Sequence, residues 1–501
     1  MTPSAIALSR FGYGFAARDA AGSNAGPDSG LKAAQTRLLR QLDLFDPSPA
    51  PVARRAAIKS KTGETINLIR SARRDVRANS AMADDGAMPA PMTGAMPEAV
   101  TPDDARAAAR EALPPEYREK LAEGRRLVVD DVALRANLAI SSPAPMMERM
   151  VHFWANHFSV SVGKPGTQFE VGHHEFAAIR PRVLGRFGDL LKAAVLHPAM
   201  LLYLDQFQSV GPNSPFQSRG NRRANPQAPR GLNENLAREI LELHTLGVGG
   251  GYDQTDVTEL ARALTGWTVP GLGRVGRFAK DQASGAAFVA LAHEPGARRV
   301  LGRAYPAGEE TQALAILDDL AAHPATARHI ATKLARHFAG DTPPAALVAR
   351  LETDFLRSGG DLSSLTRTLI AAPEAWTPDP VKFRTPFEWF IAAARLTGAA
   401  ALEPRRIVGA LTQLGQVPWR ASSPAGYDDL AGSWAGPDAL FRRVELAQQI
   451  ARDTPIDGVI ARAQAAFPGT LSEATATQLA RAESGRQALA LLLVSPEMLR
   501  R

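Results

Sequence analysis

Apolar residues recur along most of this 501-residue chain at the spacing of amphipathic helices. The clearest case is the segment 187–200, where five apolar residues share one helical stripe at i, i+3, i+4, i+7 and i+8. These residues are Phe187, Leu190, Leu191, Ala194 and Val195. The segment 309–338 contains two more such helices, with Pro324 at the first turn of the second. The pattern predicts a mainly α-helical protein, a globular array of many helices.

Strand-forming patterns are concentrated in one short region. Between residues 286 and 305, two runs of β-prone residues lie on either side of the sequence His-Glu-Pro-Gly. Two such runs joined by a short turn sequence are typical of a β-hairpin. We therefore expect one small β-hairpin excursion near residues 286–305 in an otherwise helical chain.

Changes in composition divide the chain into five parts. They are an N-terminal helical part at 1–78, an insertion at 79–103, a central helical core at 104–270, the β-hairpin excursion at 271–310 and a C-terminal helical part at 311–501. Ala, Met, Pro and Gly dominate the insertion, and such low complexity is typical of disorder. Clustered methionines can also bind Cu(I). Here they are loosely spaced and no histidine accompanies them, so a disordered insertion is the favoured interpretation.

Composition excludes several kinds of site. The chain has no cysteine, so disulfides, thiolate nucleophiles and cysteine-ligated metals are ruled out. A net charge of +7 is compatible with an acidic partner. However, basic residues alternate with acidic ones and aromatic residues make up only 6%, so we expect no nucleic-acid binding. Neither a signal peptide nor a transmembrane segment is recognisable. The sequence therefore predicts a cytoplasmic protein.

The segment 231–252, GLNENLAREILELHTLGVGGGY, has the densest run of chemically capable side chains. On a helical wheel, Asn235 and Glu239 share a polar ridge, whereas His244 falls on the apolar side. Asn233 suits the N-cap, and i, i+4 ion pairs explain most of the charged residues. The ridge is therefore explained either as a solvated helix face or as the wall of a site. Neither capping nor ion pairing explains His244.

Two other helices also present an ionisable group to the core. In the segment 144–160, His157 lies among apolar residues, while Glu148, His152 and Asn156 share a polar face. The apolar helix PAMLLYLD ends at Asp205. Buried polar groups need partners, so His157, Asp205 and His244 are expected to meet in one neighbourhood. The structural interpretation is a hydrogen-bond network that fixes the helix packing. The functional one is an acid–base or metal site.

These considerations give two sets of candidate residues. The candidate catalytic residues are His157, Asp205, Asn235, Glu239 and His244. The candidate metal ligands are His157, Asp205 and His244. The sequence identifies no cofactor, and these ligand types are compatible with a divalent metal.

Several motifs resemble, in the same order, those of a bacterial family, domain of unknown function 1800. The motifs are RMVHFWANHFSVS (149–161), LHPAMLLYLDQFQSVGPNS (196–214), GLNENLAREILELHTLGVGGGY (231–252), ELARALTGW (259–267), HEPGARRVLGRAYP (293–306), HPATARHIATKLARHF (323–338), KFRTPFEW (382–389) and the closing LALLLVSPEMLRR. Nearly the whole chain is covered. It departs from the family pattern in the insertion 79–103 and in DQFQS, where Asp-Asn-x-Gln-Ser is more usual.

The resemblance implies no particular reaction, but it does imply a partner. Members are often encoded beside proteins of domain of unknown function 1501, many of which look exported, so a periplasmic location is the alternative to the cytoplasm. Two main hypotheses follow. The protein is a hydrolytic or metal-assisted enzyme with a buried His/Asp/Glu site, or it is a non-enzymatic helical partner or maturation factor for the co-encoded protein. A weaker third hypothesis is an anion or nucleic-acid binder that uses the arginine-bearing loop 207–230.

Overall fold

The computed structural model describes most of the chain, and helices dominate it, as the hydrophobic pattern predicts. The described residues are 1–16, 30–58, 62–63, 65–67, 71, 114–220, 231–280, 285–454 and 457–501. The predicted insertion at residues 79–103 lies outside them.

The longer helices are labelled here in chain order. In the first half they are α1 (Leu31–Leu44), α2 (Ala50–Ala57), α3 (Pro115–Ser141), α4 (Pro145–His157), α5 (Phe187–Val195) and α6 (Gln254–Leu264). In the second half they are α7 (Glu310–Ala322), α8 (Pro324–Ala339), α9 (Ala345–Ser358), α10 (Leu362–Ala371), α11 (Pro386–Thr397), α12 (Pro404–Gln413), α13 (Pro437–Asp453), α14 (Val459–Ala466), α15 (Glu473–Ala480) and α16 (Gly485–Leu493).

Shorter helical segments connect the longer ones. Short α-helices cover Pro3–Ile6, Val171–His173, Pro198–Tyr203, Pro215–Gly220, Asn235–Glu239, Gly273–Gly276, Ala431–Trp434 and Pro496–Leu499. The 3-10 turns cover Thr167–Phe169, Arg180–Arg182, Gln206–Gln208, Ala290–Ala292 and Pro373–Trp376. The π-helices cover Ala7–Phe11, His174–Ile179 and Ile240–His244.

The sequence His-Pro-Ala begins a helix in two places with the same local structure. Nδ1 of His197 accepts a hydrogen bond of 3.1 Å from the Ala199 N–H, and Nδ1 of His323 accepts one of 3.1 Å from the Ala325 N–H. In each case the proline occupies the first helical turn, where its missing N–H costs nothing. These two histidines are therefore N-caps.

The predicted helix in the segment 231–252 changes its winding halfway. It begins as an α-helix at Asn235 and continues as a π-helix from Ile240 to His244. The Thr245 hydroxyl donates a hydrogen bond of 2.6 Å to the Ile240 carbonyl at the π-helical end. Gly247 follows with φ of +83°, and a Cβ there would lie 2.7 Å from Nδ1 of His329. Glycine is therefore required both by the backbone conformation and by the approach of α8. Such π-helical turns are frequent near functional sites.

Three of the four short strands lie in the predicted region, whereas the first, at Trp267–Thr268, precedes it, and the strands pair differently. Strand β1 (Trp267–Thr268) pairs with β2 (Ala287–Phe288), and β3 (Arg298–Val300) pairs with β4 (Arg303–Tyr305), both antiparallel. The two runs beside His-Glu-Pro-Gly therefore do not pair with each other. Instead, Leu301 and Gly302, both with positive φ, form a two-residue turn inside the second run. Leucine is an unusual residue for that turn, so the sequence did not indicate its position.

One continuous cluster of buried apolar side chains runs from Ile6 to Met498. It combines residues of the N-terminal, central and C-terminal helical parts. Trp154 on α4 and Trp389 on α11 are among its largest fully buried members. The Trp389 indole donates a hydrogen bond of 2.9 Å to the Leu493 carbonyl at the end of α16. Helices α4 and α11 thus form part of the core, and none of the described helices is long and apolar enough to cross a membrane.

Candidate active site

A pocket of about 420 Å³ opens between α4, α8, α11 and the loop of residues 416–429. We call it the central pocket. Its volume lies within the range of small-molecule sites. Polar side chains are numerous in its lining: Tyr13, Arg135, His152, Asn156, His157, Lys333, Arg336, His337, Glu388, Asp428 and Asp429. The pocket therefore combines acids, bases and cations.

Helical spacing directs the side chains of α8 into the central pocket. His329, Lys333 and His337 are four residues apart, so they follow one another along one face of the helix. Lys333 and His337 line the pocket. His329, one turn earlier, is held by a hydrogen bond of 3.0 Å between its Nε2 and the Leu243 carbonyl. This face of α8 therefore connects the pocket to the π-helical segment.

The predicted polar face of α4 points into the protein. Glu148 forms a buried ion pair with Arg180, with Oε2 2.7 Å from the nearest guanidinium nitrogen. His152 and Asn156, the next two members of that face, line the central pocket. The three side chains thus have protein partners, and two of them face the pocket.

Asn156 fastens the loop of residues 416–429 to α4. Its amide donates a hydrogen bond of 2.8 Å to the Tyr427 carbonyl, and its Oδ1 accepts one of 2.8 Å from the Tyr427 N–H. Gly426 comes so close that a Cβ would lie 2.4 Å from the Asn156 carbonyl oxygen. Two hydrogen bonds and a glycine contact therefore fix this wall of the pocket.

His337 and Asp429 form an acid–base pair inside the pocket. Nδ1 of His337 lies 3.0 Å from Oδ2 of Asp429. A carboxylate only accepts hydrogen bonds, so Nδ1 carries the proton and the neutral ring keeps a lone pair on Nε2. Nε2 is buried without a hydrogen-bond partner among the described residues. Burial lowers the pKa of His337, although Asp429 partly offsets this effect. His337 is therefore neutral near pH 7 and has a free basic nitrogen.

Asp429 is held in its ionised form by the groups around it. Burial alone would raise the pKa of its carboxyl, but His337, Lys382 and Arg501 outweigh burial and lower that pKa. The Lys382 ammonium lies 3.5 Å from Oδ1 of Asp429 and 2.9 Å from Oδ1 of Asp341. Asp341 in turn accepts a hydrogen bond of 2.7 Å from the Ala431 N–H. Asp429 is thus a fixed, charged partner for His337.

Lys333 is a cation in the same pocket, in an environment that disfavours its charge. Burial lowers its pKa to about 8, Asp429 opposes this shift, and Arg336 adds to it. Among the described residues, its ammonium makes no ion pair. Lys333 is therefore mostly charged at pH 7, with a neutral fraction that grows just above this pH.

Buried polar pairs form another part of the pocket. The Tyr13 hydroxyl lies 2.5 Å from Nδ1 of His152. Burial raises the pKa of Tyr13 and lowers that of His152, so the hydroxyl donates and His152 is neutral. Glu388 on α11 pairs with Arg149 and Arg501. Burial alone would raise the pKa of Glu388, but these two arginines hold it well below its ordinary value.

Two of the residues predicted from sequence, His157 and His244, lie together. Their ring centroids are 5.9 Å apart, and Nε2 of His157 lies 3.2 Å from the His244 carbonyl oxygen. His157 also lines the central pocket. His244 is fully buried, and neither of its ring nitrogens has a partner among the described residues. Burial lowers its pKa to about 3.

Asp205 has a different partner. Its carboxylate pairs with Lys164, and its side chain is 37% exposed. Its backbone lies in the left-handed region with φ of 58°, at the start of the turn Gln206–Gln208. In the described part of the chain, none of its contacts involves His157 or His244.

Asn235 is exposed and Glu239 is half-buried, and neither residue lines the central pocket. The Asn235 N–H donates a hydrogen bond of 2.9 Å to Oδ1 of Asn233, which precedes Glu234; Glu234, and not Asn233, is the N-cap of this helix. Glu239 is partly buried, and burial, followed by the charge of Glu242, raises its pKa. Glu239 in turn contributes to the raised pKa of Tyr203. Of the five predicted residues, His157 alone is part of the central pocket lining.

A different group has the geometry of metal ligands. Glu170, His173 and His197 each offer a ligand atom within 4.8 Å of the others. Their hydrogen bonds nevertheless disfavour a metal. Nδ1 of His197 is the acceptor that caps its helix, so Nε2 carries the proton of the neutral ring. That proton is directed to Nδ1 of His173 at 2.8 Å, and Nε2 of His173 lies 3.2 Å from the Ala56 carbonyl. A metal ion would have to displace this chain of hydrogen bonds.

The sequence analysis missed Lys333, His337 and Asp429. The sequence did contain a signal for two of them, since His329, Lys333 and His337 recur every four residues in HPATARHIATKLARHF. The sequence pattern places His337 on a helix, but nothing local identifies it as a base. Asp429 lies in a loop 92 residues further along, and no local pattern connects it to His337.

Comparison with known proteins gives one match. The sequence profile described as "Protein of unknown function (DUF1800)" matches residues 6–500. Comparisons with curated proteins and with solved structures gave no significant match. Four of the motifs that carry the family resemblance contribute to the central pocket or its neighbours: those containing His152, Glu388, His337 and His244.

Proposed function

The chain belongs to the DUF1800 family, and we propose that it is a hydrolytic enzyme with its active site in the central pocket. The observation that carries this proposal is the free Nε2 of His337. A buried, neutral imidazole that is oriented by a carboxylate and lacks a partner on its second nitrogen has the arrangement of a general base. His157 and His244 also have buried ring nitrogens without a partner among the described residues, but in the described part of the chain only His337 of these three is oriented by a carboxylate.

In the proposed reaction, His337 activates a water molecule. Nε2 accepts a proton from the water as its oxygen attacks the electrophilic centre of the substrate. Asp429 stabilises the imidazolium that forms, through the hydrogen bond to Nδ1. Nε2 then returns the proton to the leaving group, so the enzyme ends in its starting state. One water molecule is consumed and one substrate bond is broken.

His157 has a supporting role in this proposal. It lies on the pocket wall, with one nitrogen directed to the His244 carbonyl. We assign to His157 and His244 the positioning of the π-helical segment against α4. Asp205, Asn235 and Glu239 take no part in the proposed reaction. The ridge formed by Asn235 and Glu239 is instead a candidate contact region.

The test is a panel of chromogenic carboxylic esters, amides and phosphate esters, assayed with the wild-type protein and with His337→Ala. Hydrolysis of at least one class is expected, with a loss of about 10²–10⁴-fold in the variant. Added imidazole should restore part of the activity, because a free base can occupy the vacated space. His323→Asn is the matched control, since it removes a histidine outside the pocket and asparagine is also an N-cap residue.

Full activity in His337→Ala would show that another residue is the general base. If no substrate class is hydrolysed, the competing proposal becomes the better one. In that case the protein is a helical partner or maturation factor for a co-encoded protein of domain of unknown function 1501. Co-purification of the two proteins would test that role.

A further inference from the structure

Two cations in the central pocket have no counter-ion among the described residues. Lys333 and Arg336 both line the pocket, and neither side chain makes a hydrogen bond or an ion pair to the described part of the chain. Nε of Arg336 is buried without a partner. Arg135, a third basic residue of the lining, is different because its guanidinium pairs with Glu175. Of these three basic residues, only Lys333 and Arg336 therefore lack an acidic partner among the described residues.

The acidic residues nearby are already engaged. Asp429 is shared between His337 and Lys382. The Asp428 carboxylate accepts a hydrogen bond of 2.5 Å from the Ser433 hydroxyl and is exposed. Glu388 is paired with Arg149 and Arg501. The charge of Lys333 and Arg336 is therefore available to a bound molecule.

The spacing of the two cations suits a single anion. Lys333 and Arg336 are three residues apart on α8, so their side chains are neighbours on the helix surface. A guanidinium binds carboxylate or phosphate oxygens with two parallel hydrogen bonds, and an ammonium adds a point charge. His337 lies next to Arg336 in sequence and also lines the pocket. An anion held by this pair would lie in the pocket that His337 also lines.

We propose that Lys333 and Arg336 bind an oxyanion of the substrate, a carboxylate or a phosphate group, and position its scissile bond near His337. This inference rests on the proposed function and adds the substrate class: a small anionic molecule. Its size is limited by the pocket of about 420 Å³.

Calorimetric titration tests the inference without turnover. Inorganic phosphate and acetate are titrated separately, at ionic strength held constant with chloride. Saturable binding of at least one anion at one site per chain is expected. A preference for phosphate would identify a phosphorylated substrate, and a preference for acetate a carboxylate. If neither anion saturates the protein, the inference is overturned.

Variants locate the binding. Lys333→Met and Arg336→Met should each weaken binding by about tenfold or more, because each removes a charge-assisted contact. Arg328→Met is the matched control on the same helix, since Arg328 is exposed and pairs with Glu352 at 2.9 Å. Unchanged binding in both pocket variants would contradict the proposal. Arg336→Lys keeps the charge and the fold but loses the paired hydrogen bonds, so it should give an intermediate affinity.

His337→Ala separates this inference from the proposed function. The variant should bind the anion as the wild type does, yet lose hydrolysis. Anion binding without any hydrolysis would support the inference and count against the hydrolase. Hydrolysis that imidazole rescues, with no anion binding, would keep the hydrolase and overturn the anion site.

Discussion

Oδ2 of Asp429 lies 3.0 Å from Nδ1 of His337, and this contact leaves Nε2 of the same ring without a partner in the described structure. The contact joins α8 to a loop 92 residues away in sequence. It decides which nitrogen carries the proton and therefore which nitrogen can act as a base. The chemical character of the pocket depends on this one hydrogen bond.

Asp429→Asn should disturb the tautomer of His337. An amide can donate as well as accept, so it no longer requires the proton on Nδ1. The pKa of His337 should also fall further, because the charge of Asp429 now raises it against the effect of burial. Nitrogen NMR of histidine-labelled protein measures both effects. Hydrolysis should fall by about 10²–10⁴-fold. An unchanged His337 spectrum would show that Asp429 does not set the tautomer.

Lys333→Met should stabilise the protein at neutral pH. The pKa of Lys333 is lowered to about 8 in the folded state from 10.5 in the unfolded state, so the unfolded chain binds more protons between these values. Wild-type stability should therefore rise between pH 8 and 10.5, and the advantage of the variant should shrink over this window.

Urea unfolding at pH 7 and pH 10 measures this difference. The groups that influence Lys333, or that it influences, are His157, His244, His329, Arg336 and Asp429. Of these groups, His329 and Arg336 lie on α8, and Asp429 lies in the loop of residues 416–429. Lys192→Met is the control, because Lys192 lies on α5 and pairs with Asp318 at 2.6 Å. An equal gain in stability of Lys333→Met at both pH values would contradict the lowered pKa of Lys333.

His244→Leu and His244→Ala should differ in stability. Alanine leaves a cavity in a fully buried position and should cost about 2–4 kcal/mol. Leucine fills more of that space and removes two unpaired ring nitrogens, so it should cost less than about 1.5 kcal/mol. Thermal and denaturant unfolding measure both variants.

Comparison of the wild type with His244→Leu also tests His244 as a metal ligand. Adding Zn²⁺ would then raise the unfolding temperature of the wild type and have a smaller effect on His244→Leu. Elemental analysis of purified protein provides an independent measurement. Equal responses of the two proteins to Zn²⁺ would contradict ligation by His244.

His323 provides a test of the His-Pro-Ala cap. His323→Ala should destabilise the protein by about 0.5–2 kcal/mol, because the Ala325 N–H loses its acceptor. His323→Asn should restore most of the loss, since asparagine is a good N-cap. Thermal unfolding of the three proteins measures the order of stability. Equal stability of the alanine and asparagine variants would show that the hydrogen bond contributes little.

Local sequence patterns predicted the helices better than the site. The stripe from Phe187 to Val195 is a helix, and all five of its apolar residues are buried. The positions of His157 and His244 on apolar helix faces also predicted correctly that the two side chains lie together. The β-turn at Leu301 and Gly302 was missed because turn chemistry favours Asn-Gly over Leu-Gly.

The residues of the candidate site are brought together by tertiary contacts. His152 and Asn156 form a polar helix face in the sequence, and nothing local distinguishes a face that meets water from one that meets a pocket. Asp429 becomes recognisable only when the loop is placed against α8. Asp205 was expected in the core because its helix is apolar, yet the chain turns at that residue and directs the carboxylate to Lys164.

The attachment of the loop of residues 416–429 has a consequence for the proposed reaction. The loop that Asn156 fastens through Tyr427 also carries Asp429. Any movement that detaches the loop to admit a large molecule would also take Asp429 away from His337, and the imidazole would lose its orienting partner. Only the closed arrangement combines a filled pocket with an oriented base. Under the proposed function, a molecule that holds the loop open would therefore bind without being hydrolysed. Molecules small enough to enter with the loop in place would be the substrates.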